Sequence, residues 1–275
     1  MTISDVDFEY VRQLVRQQSG IMIDSDKSYL AESRLGRLAE REGFTTTGEL
    51  LARARNGEAP VLRQKVVEAM TIAETLFFRD VNPFECLKNE ILPTLVKQRA
   101  AEKQLSIWSA ACATGQEPYS VAMILRDFFP GLRDWTVNLI ASDLSNESLE
   151  RARQGSYNLS EINRGLPAGM LVKYFTQEGQ FWRVKEEIRR MIRFEKINLT
   201  EPWPYLPNMD IILLRNVMIY FEAETKKAVL GKVRGLLKPD GYLFLGTSET
   251  TLNLDDGFDR TPHEHGGCFR LNGAR

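Results

Sequence analysis

Apolar residues in the first part of the chain recur with the period of an α-helix. A first helix is predicted from Ser4, its N-cap, to Gly20, which ends it, with an apolar face of Phe8, Val11, Leu14 and Val15. A second is predicted over residues 27–42 and ends at Gly43, with an apolar face of Leu30, Ala31, Leu35, Leu38 and Ala39. Residues 1–75 are therefore predicted to be all helical.

Beyond residue 100, short apolar runs alternate with helical patterns. Five strands are predicted, around Ile107 and Trp108 and over residues 137–143, 191–197, 209–214 and 242–246. The predicted helices between them include residues 146–154 and residues 226–237, the latter ended by the turn residues 238–241. Strands that are apolar along their length and alternate with helices indicate a parallel sheet covered on both faces. The predicted fold class is α/β.

The segment from Ser109 to Gly115 joins the first strand to the next helix with very small residues. Such a turn lets the backbone approach a ligand beside the partly positive helix N-terminus, which suits a nucleotide-like ligand. Neither G-x-G-x-x-G nor the phosphate-binding G-x-x-x-x-G-K-[ST] is present, and the turn has a single glycine. Taken alone, the segment is better interpreted as an ordinary strand, turn and helix packed with small residues.

Polar residues follow the ends of the other strands. Asp143 ends the second strand, where an acidic residue commonly accepts hydrogen bonds from ribose hydroxyls. It could instead cap the following helix, as Ser145 could. Asn198 follows the third strand, and Arg215 and Asn216 follow the fourth. Because ligands of such sheets bind beyond the carboxyl ends of the strands, these positions predict one shared site.

Four segments resemble a known family. Residues 237–245 are similar to a turn and strand found widely in S-adenosylmethionine-dependent methyltransferases. Residues 74–80, 108–120 and 215–221 resemble the hallmark segments of CheR, the chemotaxis receptor glutamate O-methyltransferases. The resemblance implies a Rossmann-like class I methyltransferase domain with a small inserted antiparallel β-subdomain, preceded by an all-helical domain. It places the helical, receptor-docking domain at residues 1–75, the methyltransferase domain at 76–275 and the β-subdomain at about 160–190.

Composition agrees with an ordinary soluble globular protein. The chain has 275 residues, 43% hydrophobic and 27% charged, with a net charge of −1, which argues against a dedicated nucleic-acid binder. Its three cysteines lack metal-site spacing, and their odd number favours a reducing, cytoplasmic setting. No run approaches the length of a membrane span, so membrane insertion is not expected.

The resemblance implies S-adenosylmethionine as cofactor and S-adenosylhomocysteine as product. The family pattern carries cofactor contacts to Ala73, Thr75, Arg79, Glu117, Asp143, Asn198, Leu199, Arg215 and Asn216. Among these, Glu117 would contact the cofactor near the first turn, Asp143 the ribose, and Asn198 with Leu199 the adenine. Ala73 departs from the pattern, because relatives commonly carry asparagine there; its contact would be made by the backbone or lost.

Methyl transfer from a sulfonium to a carboxylate needs alignment rather than a general base, because a glutamate with a pKa of about 4.3 is already ionised. No metal site is expected: His263 and His265 are the only histidines and favour surface placement. Arg79 and Tyr220 are the predicted catalytic residues, the first for its fork of donors to a carboxylate, the second for its hydroxyl. Their structural alternatives are an ion pair of Arg79 with Asp80 or Glu85, and a half-buried aromatic ring.

Docking residues are predicted on the second helix, where Arg34, Arg37 and Arg41 share one stripe. The default for such a stripe is a solvated face, but the resemblance implies the acidic cytoplasmic coiled coil of a chemoreceptor as partner. Residues 173–177 and 180–184 predict a β-hairpin turning at Glu178 and Gly179. In some CheR members this subdomain binds a receptor's C-terminal tether peptide. The short turn here favours a purely structural hairpin.

Other functions remain open from the residues alone. An NAD-dependent oxidoreductase would need the three-glycine pyrophosphate turn, which is missing. An amine or nucleic-acid methyltransferase would commonly carry an Asn/Asp-Pro-Pro-aromatic motif, where this chain has Arg215-Asn-Val. A cofactor-binding module without catalysis, or a methyltransferase for another acidic protein, is the main alternative to receptor methylation.

Overall fold

The computed structural model describes residues 3–56, 59–261 and 267–273. Its N-terminal part is helical, as predicted, with α1 (Asp5–Ser19), α2 (Ser28–Arg41), α3 (Thr47–Arg55) and α4 (Pro60–Met70). Ser4 caps α1 by accepting a hydrogen bond from Asp7 N, and Gly20 ends it in the left-handed conformation. The apolar faces of these helices meet in one core that contains Val11, Leu35 and Leu51.

An irregular segment, residues 71–81, leads from the helical part to the rest of the chain. It is followed by α5 (Asn82–Cys86), a π-helical turn (Leu87–Ile91) and α6 (Leu92–Gln98). Two contacts hold the segment against the sheet domain. Phe77 is fully buried, and Phe78 N donates to Ser120 Oγ at 3.0 Å. The segment is thus fixed next to the carboxyl ends of the strands.

In the described part of the chain, ten strands form two sheets. They are β1 (Gln104–Ala110), β2 (Thr136–Asp143), β3 (Ser156–Asn158), β4 (Phe175–Glu178), β5 (Phe181–Val184), β6 (Ile192–Lys196), β7 (Met209–Leu214), β8 (Leu237–Leu245), β9 (Phe258–Arg260) and β10 (Cys268–Leu271). The large sheet has the order β6-β2-β1-β7-β8-β10-β9, and its first five strands are parallel. The five strands predicted to alternate with helices all lie in it. The antiparallel edge of β9 and β10 was not predicted.

Helices cover both faces of the large sheet. The helices of this part of the chain are α7 (Gln116–Phe128), α8 (Asn146–Gln154), α9 (Leu159–Asn163), α10 (Ala168–Tyr174), α11 (Glu186–Arg189) and α12 (Ala223–Leu236), with short 3-10 turns at Pro130–Asp134 and Met218–Tyr220. Of these, α9 and α10 contact the small sheet. Two apolar cores result. One contains Ile107 and Leu139, and the other contains Trp108 and Ile140. Neighbouring residues of one strand enter opposite cores, as the pleat of a strand requires. The α/β class is confirmed.

The last parallel strand corrects one prediction. Residues 238–241, expected as the turn that stops the helix, lie inside β8, which begins at Leu237. The pairing with β7 jumps from Leu237 to Tyr242, so the four residues form an irregular bulge. Side chains hold it in place: Arg99 donates to both carboxylate oxygens of Asp240, and Lys238 to Asp210. These partners come from distant segments, so the local turn signal does not terminate the strand.

The small sheet is antiparallel, in the order β3-β5-β4. The predicted hairpin of β4 and β5 is confirmed, with Gly179 in the left-handed conformation at its turn. Its first strand begins at Phe175 rather than at residue 173, because α10 continues to Tyr174. The third strand, β3, was not predicted: three residues are too few for a pattern.

Three further findings concern the cysteines, membrane-spanning helices and metal ligands. Cys86, Cys112 and Cys268 are free and buried. Within the described residues, no helix has the length and apolar character needed to span a bilayer, and no group of histidine, cysteine or acidic side chains could hold a metal ion. His263 and His265, which were expected at the surface, lie outside the described residues.

Candidate active site

A pocket lies at the carboxyl ends of the parallel strands. Its walls come from the end of α1, the segment 71–81 and the loops after the strands. The lining residues are Ser19, Ile21, Thr71, Ile72, Ala73, Glu74, Thr75, Arg79, Ala111, Ala113, Glu117, Asp143, Leu144, Ile197, Asn198, Leu199, Arg215, Asn216, Val217, Tyr220 and Phe221. Every residue predicted for cofactor contact or catalysis lines it.

The turn after β1 forms the floor of the pocket. Ala111 and Ala113 have φ of 55° and 48°, in the left-handed region that residues other than glycine rarely adopt. Gly115 has φ of 95°, and a Cβ there would lie 2.9 Å from Ala152 Cβ of α8. The single glycine therefore serves the packing of two helices, while alanines take the strained positions. Strain of this kind commonly marks a ligand site.

Asp143 ends β2 beside this turn. Its Oδ2 accepts a hydrogen bond from Ala113 N and its Oδ1 from Ser145 N, both at 2.9 Å. Burial raises the pKa of Asp143, and these backbone donors oppose that rise. The side chain that caps α8 belongs to Ser145, whose Oγ accepts from Ser148 N. Helix capping, the structural alternative for Asp143, is therefore performed by its neighbour, and the carboxylate lines the pocket.

Glu117 and Arg215 form an ion pair at the back of the pocket. Arg215 Nη1 donates to Glu117 Oε2 at 2.9 Å, and Nη2 donates to Asp80 Oδ2 and to Arg79 O, both at 2.8 Å. The Arg215 side chain is only 1% exposed. Ser109 Oγ donates to the other oxygen of Glu117 at 2.8 Å. Arg215 thus ties the segment that carries Arg79 to the sheet, a role that its position after a strand did not reveal.

Arg79 differs from Arg215 in having no acidic partner among the residues that the structure describes. Within the described residues its side chain forms no ion pair, and it donates one hydrogen bond, from Nη1 to Glu74 O at 3.1 Å. The two carboxylates named as its structural alternatives are engaged elsewhere, Asp80 with Arg215 and Glu85 with Lys88. A cationic fork in the pocket wall without an internal counter-charge can receive a ligand's carboxylate.

Tyr220 lies in the 3-10 turn after β7 and is partly buried. Burial raises the pKa of its phenol, and the positive charge of Arg79 is the largest effect opposing that rise. The hydroxyl therefore keeps its proton at neutral pH and can donate a hydrogen bond. The backbone at this position is joined to the helical domain. Met22 N donates to Tyr220 O at 2.9 Å, and Ile21 forms a β-bridge with Phe221.

Two asparagines occupy the loops after β6 and β7. Asn198 Nδ2 donates to Gln18 O at 2.6 Å and its Oδ1 accepts from Thr200, so this side chain joins the two domains. Asn216 has φ of 57°, and its Oδ1 is buried without a partner among the described residues. An orphaned buried acceptor in a pocket wall fits a ligand with N–H or O–H donors. Together with Asp143 and Arg79, it makes the pocket suitable for S-adenosylmethionine, which carries hydroxyls, an amino group and a carboxylate.

The predicted docking arginines have different surroundings. Arg34 Nη1 donates to Met70 O and Thr71 O at 3.0 and 2.9 Å, and burial lowers the pKa of its guanidinium. Arg41 pairs with Glu147 of α8 at 2.8 Å. Arg37 is exposed, and among the described residues its Nε donates a long hydrogen bond to Ser33 O at 3.4 Å. All three line a groove between α2 and α8 that shares Thr71 and Ala73 with the pocket.

Two profiles of known families match the chain. The one described as "CheR methyltransferase, all-alpha domain" matches residues 6–71, and the one described as "CheR methyltransferase, SAM binding domain" matches residues 73–266. The chain belongs to the CheR methyltransferase family. Like other CheR proteins, it is a methyltransferase that uses S-adenosylmethionine, and the class of enzyme is protein-glutamate O-methyltransferase. The predictions of family, enzyme class and cofactor are confirmed.

Similar proteins match the CheR chain along nearly its whole length. "Chemotaxis protein methyltransferase 1" of Pseudomonas aeruginosa is 41% identical, with 98% of this chain and 99% of the relative covered. "Chemotaxis protein methyltransferase Cher2" of Pseudomonas putida is 40% identical, with 94% and 95% covered. The "Chemotaxis protein methyltransferase" of Vibrio parahaemolyticus is 36% identical, with 98% of each chain covered.

Several pocket residues were not found from the sequence. Ser19 and Ile21, at the end of α1, belong to a segment interpreted only as a docking domain. Glu74, Val217 and Phe221 also line the pocket; they lie in the segments that resemble CheR, but no role was assigned to them. The left-handed backbone at Ala111 and Ala113 also marks the pocket. The sequence does not indicate this conformation, because it is glycine, not alanine, that is typical of it.

Proposed function

We propose that this enzyme methylates the side-chain carboxylates of glutamates in chemoreceptors in the cytoplasm, giving methyl esters. The observation that carries the proposal is the guanidinium of Arg79, which lies in the pocket wall near Tyr220 with no acidic partner among the described residues. A methyl acceptor with a carboxylate fits such a cation better than an amine or a hydroxyl does. When bound, S-adenosylmethionine supplies a methyl group on a good sulfonium leaving group.

The cofactor contacts form one continuous set. We assign the ribose hydroxyls to Asp143, whose carboxylate is oriented by two backbone donors. Asn198 and Leu199 flank the adenine, with the Asn198 side chain itself held by Gln18. Glu117 and Asn216 complete the wall, and Ala73 and Thr75 contribute from the segment 71–81. Arg215 also lines the pocket, and it orients Glu117.

The reacting groups need no proton transfer before the reaction. A substrate glutamate is ionised at neutral pH, so the site must orient it and exclude water. Arg79 provides the charge complement, and Tyr220 a neutral donor at the same wall. The raised pKa of Tyr220 supports this, because the phenol then keeps its proton at neutral pH.

Docking is proposed for the helical domain, residues 1–75, with residues 76–275 forming the catalytic domain and residues 160–190 the inserted β-subdomain. The groove between α2 and α8 contains Arg37, Arg41 and Arg151 and leads to the pocket at Thr71 and Ala73. A cationic groove of this kind suits an acidic helix of a receptor's coiled coil. No tether-peptide binding is proposed, since the hairpin turn is short.

The test is incubation of the enzyme with radiolabelled S-adenosylmethionine and membranes containing chemoreceptors. We expect base-labile label on receptor glutamates, located by mass spectrometry. An Asp143→Ala enzyme is the matched control, because it should lose labelling through loss of cofactor binding. Label on a different acidic protein would replace the proposed substrate. Cofactor binding without any label would make the protein a binding module.

A further inference from the structure

Glu249 lies in the loop after β8, and backbone donors surround its carboxylate. Five N–H groups donate to it: those of Asn216 and Gly246 to Oε2, both at 2.7 Å, and those of Val217, Met218 and Ile219 to Oε1, at 3.0, 2.7 and 3.3 Å. Four of these donors are consecutive residues of the loop that carries Tyr220. Glu249 itself is not among the described residues that line the pocket.

Consecutive N–H groups converge on one point only in particular backbone conformations. Asn216 has φ of 57°, which turns its N–H toward the same side as those of the following residues and makes a concave anion site. A charged acceptor satisfies all of these donors at once, and without it they would be left close together and unpaired. The anion that occupies this site is supplied by the chain itself.

Gly246 gives a second indication that the loop and the Glu249 carboxylate are packed closely against the end of β8. A Cβ built there would lie 2.7 Å from Asn216 Nδ2 and 2.7 Å from Glu249 Oε2. The φ of Gly246 is not positive, so its backbone conformation does not require glycine. The missing side chain is therefore required by the approach of the loop and the carboxylate to the strand end.

We propose that Glu249 is a positioning residue for methyl transfer: its carboxylate holds the loop 216–220 so that Asn216 and Tyr220 face the pocket. The loop is held at its start by Glu249 and at its end by Met22 N, which donates to Tyr220 O at 2.9 Å. The inference rests on the proposed catalytic role of Tyr220. It adds a residue that acts on the reaction only through another.

The first experiment replaces Glu249→Gln. The side-chain amide nitrogen of glutamine is itself a hydrogen-bond donor, and it would lie against backbone N–H groups that are also donors. The loop should therefore shift, and kcat should fall on the order of tenfold or more. Affinity for S-adenosylhomocysteine should change much less, because most cofactor contacts lie on other loops. Glu49→Gln is the matched control: its Oε2 also accepts from a backbone N–H, that of Thr45 at 2.9 Å, far from the pocket. That variant should retain full turnover.

A double-mutant cycle distinguishes positioning from general support of the fold. If Glu249 acts through Tyr220, then adding Glu249→Gln to a Tyr220→Phe enzyme should lower kcat by less than about threefold. Full multiplication of the two effects would overturn the proposal. So would a Glu249→Gln enzyme with normal turnover.

The second experiment needs no substrate, so its failure is separate from failure of the proposed function. Gly246→Ala keeps the charge of Glu249 but crowds the loop. Carbon-13 tyrosine NMR of the cofactor-free protein would follow the titration of Tyr220, identified by the resonance missing in Tyr220→Phe. We expect its midpoint to fall toward the ordinary value of about 10 as the ring leaves its buried position. An unchanged midpoint in a folded Gly246→Ala protein would overturn the proposal.

Discussion

Replacing Asp143→Ala should weaken cofactor binding, and Ser145→Ala should not. The two residues are neighbours in the same turn and both accept backbone hydrogen bonds. Asp143 accepts from Ala113 N and Ser145 N, whereas Ser145 Oγ accepts from Ser148 N and caps α8. The pair therefore separates loss of a cofactor ligand from loss of a helix cap.

The size of the effect follows from the environment of the carboxylate. A hydrogen bond to a charged group contributes about 1.5–3 kcal/mol. Burial raises the pKa of Asp143, so part of what ribose hydroxyls contribute is offset by the desolvation of the charge. We expect the lower half of that range, roughly a 10- to 50-fold loss of affinity. Ser145→Ala should instead cost about 1 kcal/mol of unfolding free energy, as other N-cap losses do.

Isothermal titration calorimetry with S-adenosylhomocysteine measures the first quantity, and urea unfolding measures the second. Asp143→Asn offers an intermediate, since its amide oxygen can still accept one of the two backbone bonds. A folded Asp143→Ala protein with wild-type affinity would refute the ribose assignment. A Ser145→Ala protein with weakened affinity would show that α8 itself shapes the pocket.

The same carboxylate gives the binding a pH dependence. The pKa of Asp143 in the folded protein is raised above 3.8, so its neutral form contributes stability that is present below 3.8 and lost as pH rises through the raised value. Ribose hydroxyls donate to the ionised form. Affinity for S-adenosylhomocysteine should therefore fall as pH is lowered through the raised value, and Asp143→Asn should flatten that part of the profile.

Three further predictions concern the wall and the groove. Tyr220→Phe should lower kcat. The activation free energy should rise by up to about 2.7–4 kcal/mol if the hydroxyl acts like other preorganised donors. Cofactor affinity, measured by calorimetry, should change little. Arg215→Met should cost about 3–5 kcal/mol in unfolding free energy measured in urea, because Glu117 and Asp80 lose their shared partner; a loss below 1 kcal/mol would contradict the clamp. Arg37→Glu should slow receptor methylation at low salt while leaving cofactor affinity unchanged, and the defect should shrink at high salt; equal rates at low salt would make Arg37 an ordinary surface residue.

The parallel strands of the large sheet were predictable because burial on both faces forces continuous apolar runs. The site followed from them, since Asp143, Asn198 and Arg215 all come directly after such runs. The bulge of residues 238–241 was not predictable, because it depends on Arg99 and Asp210, which are distant in sequence. Local turn residues indicate where a chain can bend, but only tertiary partners decide whether the strand ends there.

Charged residues illustrate the other limit. Arg34, Arg79 and Arg215 look alike in the sequence, yet one binds backbone carbonyls, one has no acidic partner among the described residues, and one is buried in an ion pair. A charge pattern shows that cations are present, not which anion each of them meets. Glu249 is the strongest case, since its five partners are backbone groups that carry no residue-specific signal.

The last turn of α1 and the residues that follow it join the helical domain to the wall of the pocket. Gln18 O accepts from Asn198, Met22 N donates to Tyr220 O, and Ile21 bridges to Phe221. The proposed docking domain and the catalytic domain therefore cannot be exchanged as independent modules in this enzyme. A chimera that replaces the helical domain with that of a relative, in order to redirect the enzyme to other receptors, must keep residues 18–22 from the parent of the catalytic domain. Grafting only the exposed face of α2 leaves that junction intact, and is the sounder route to a new specificity.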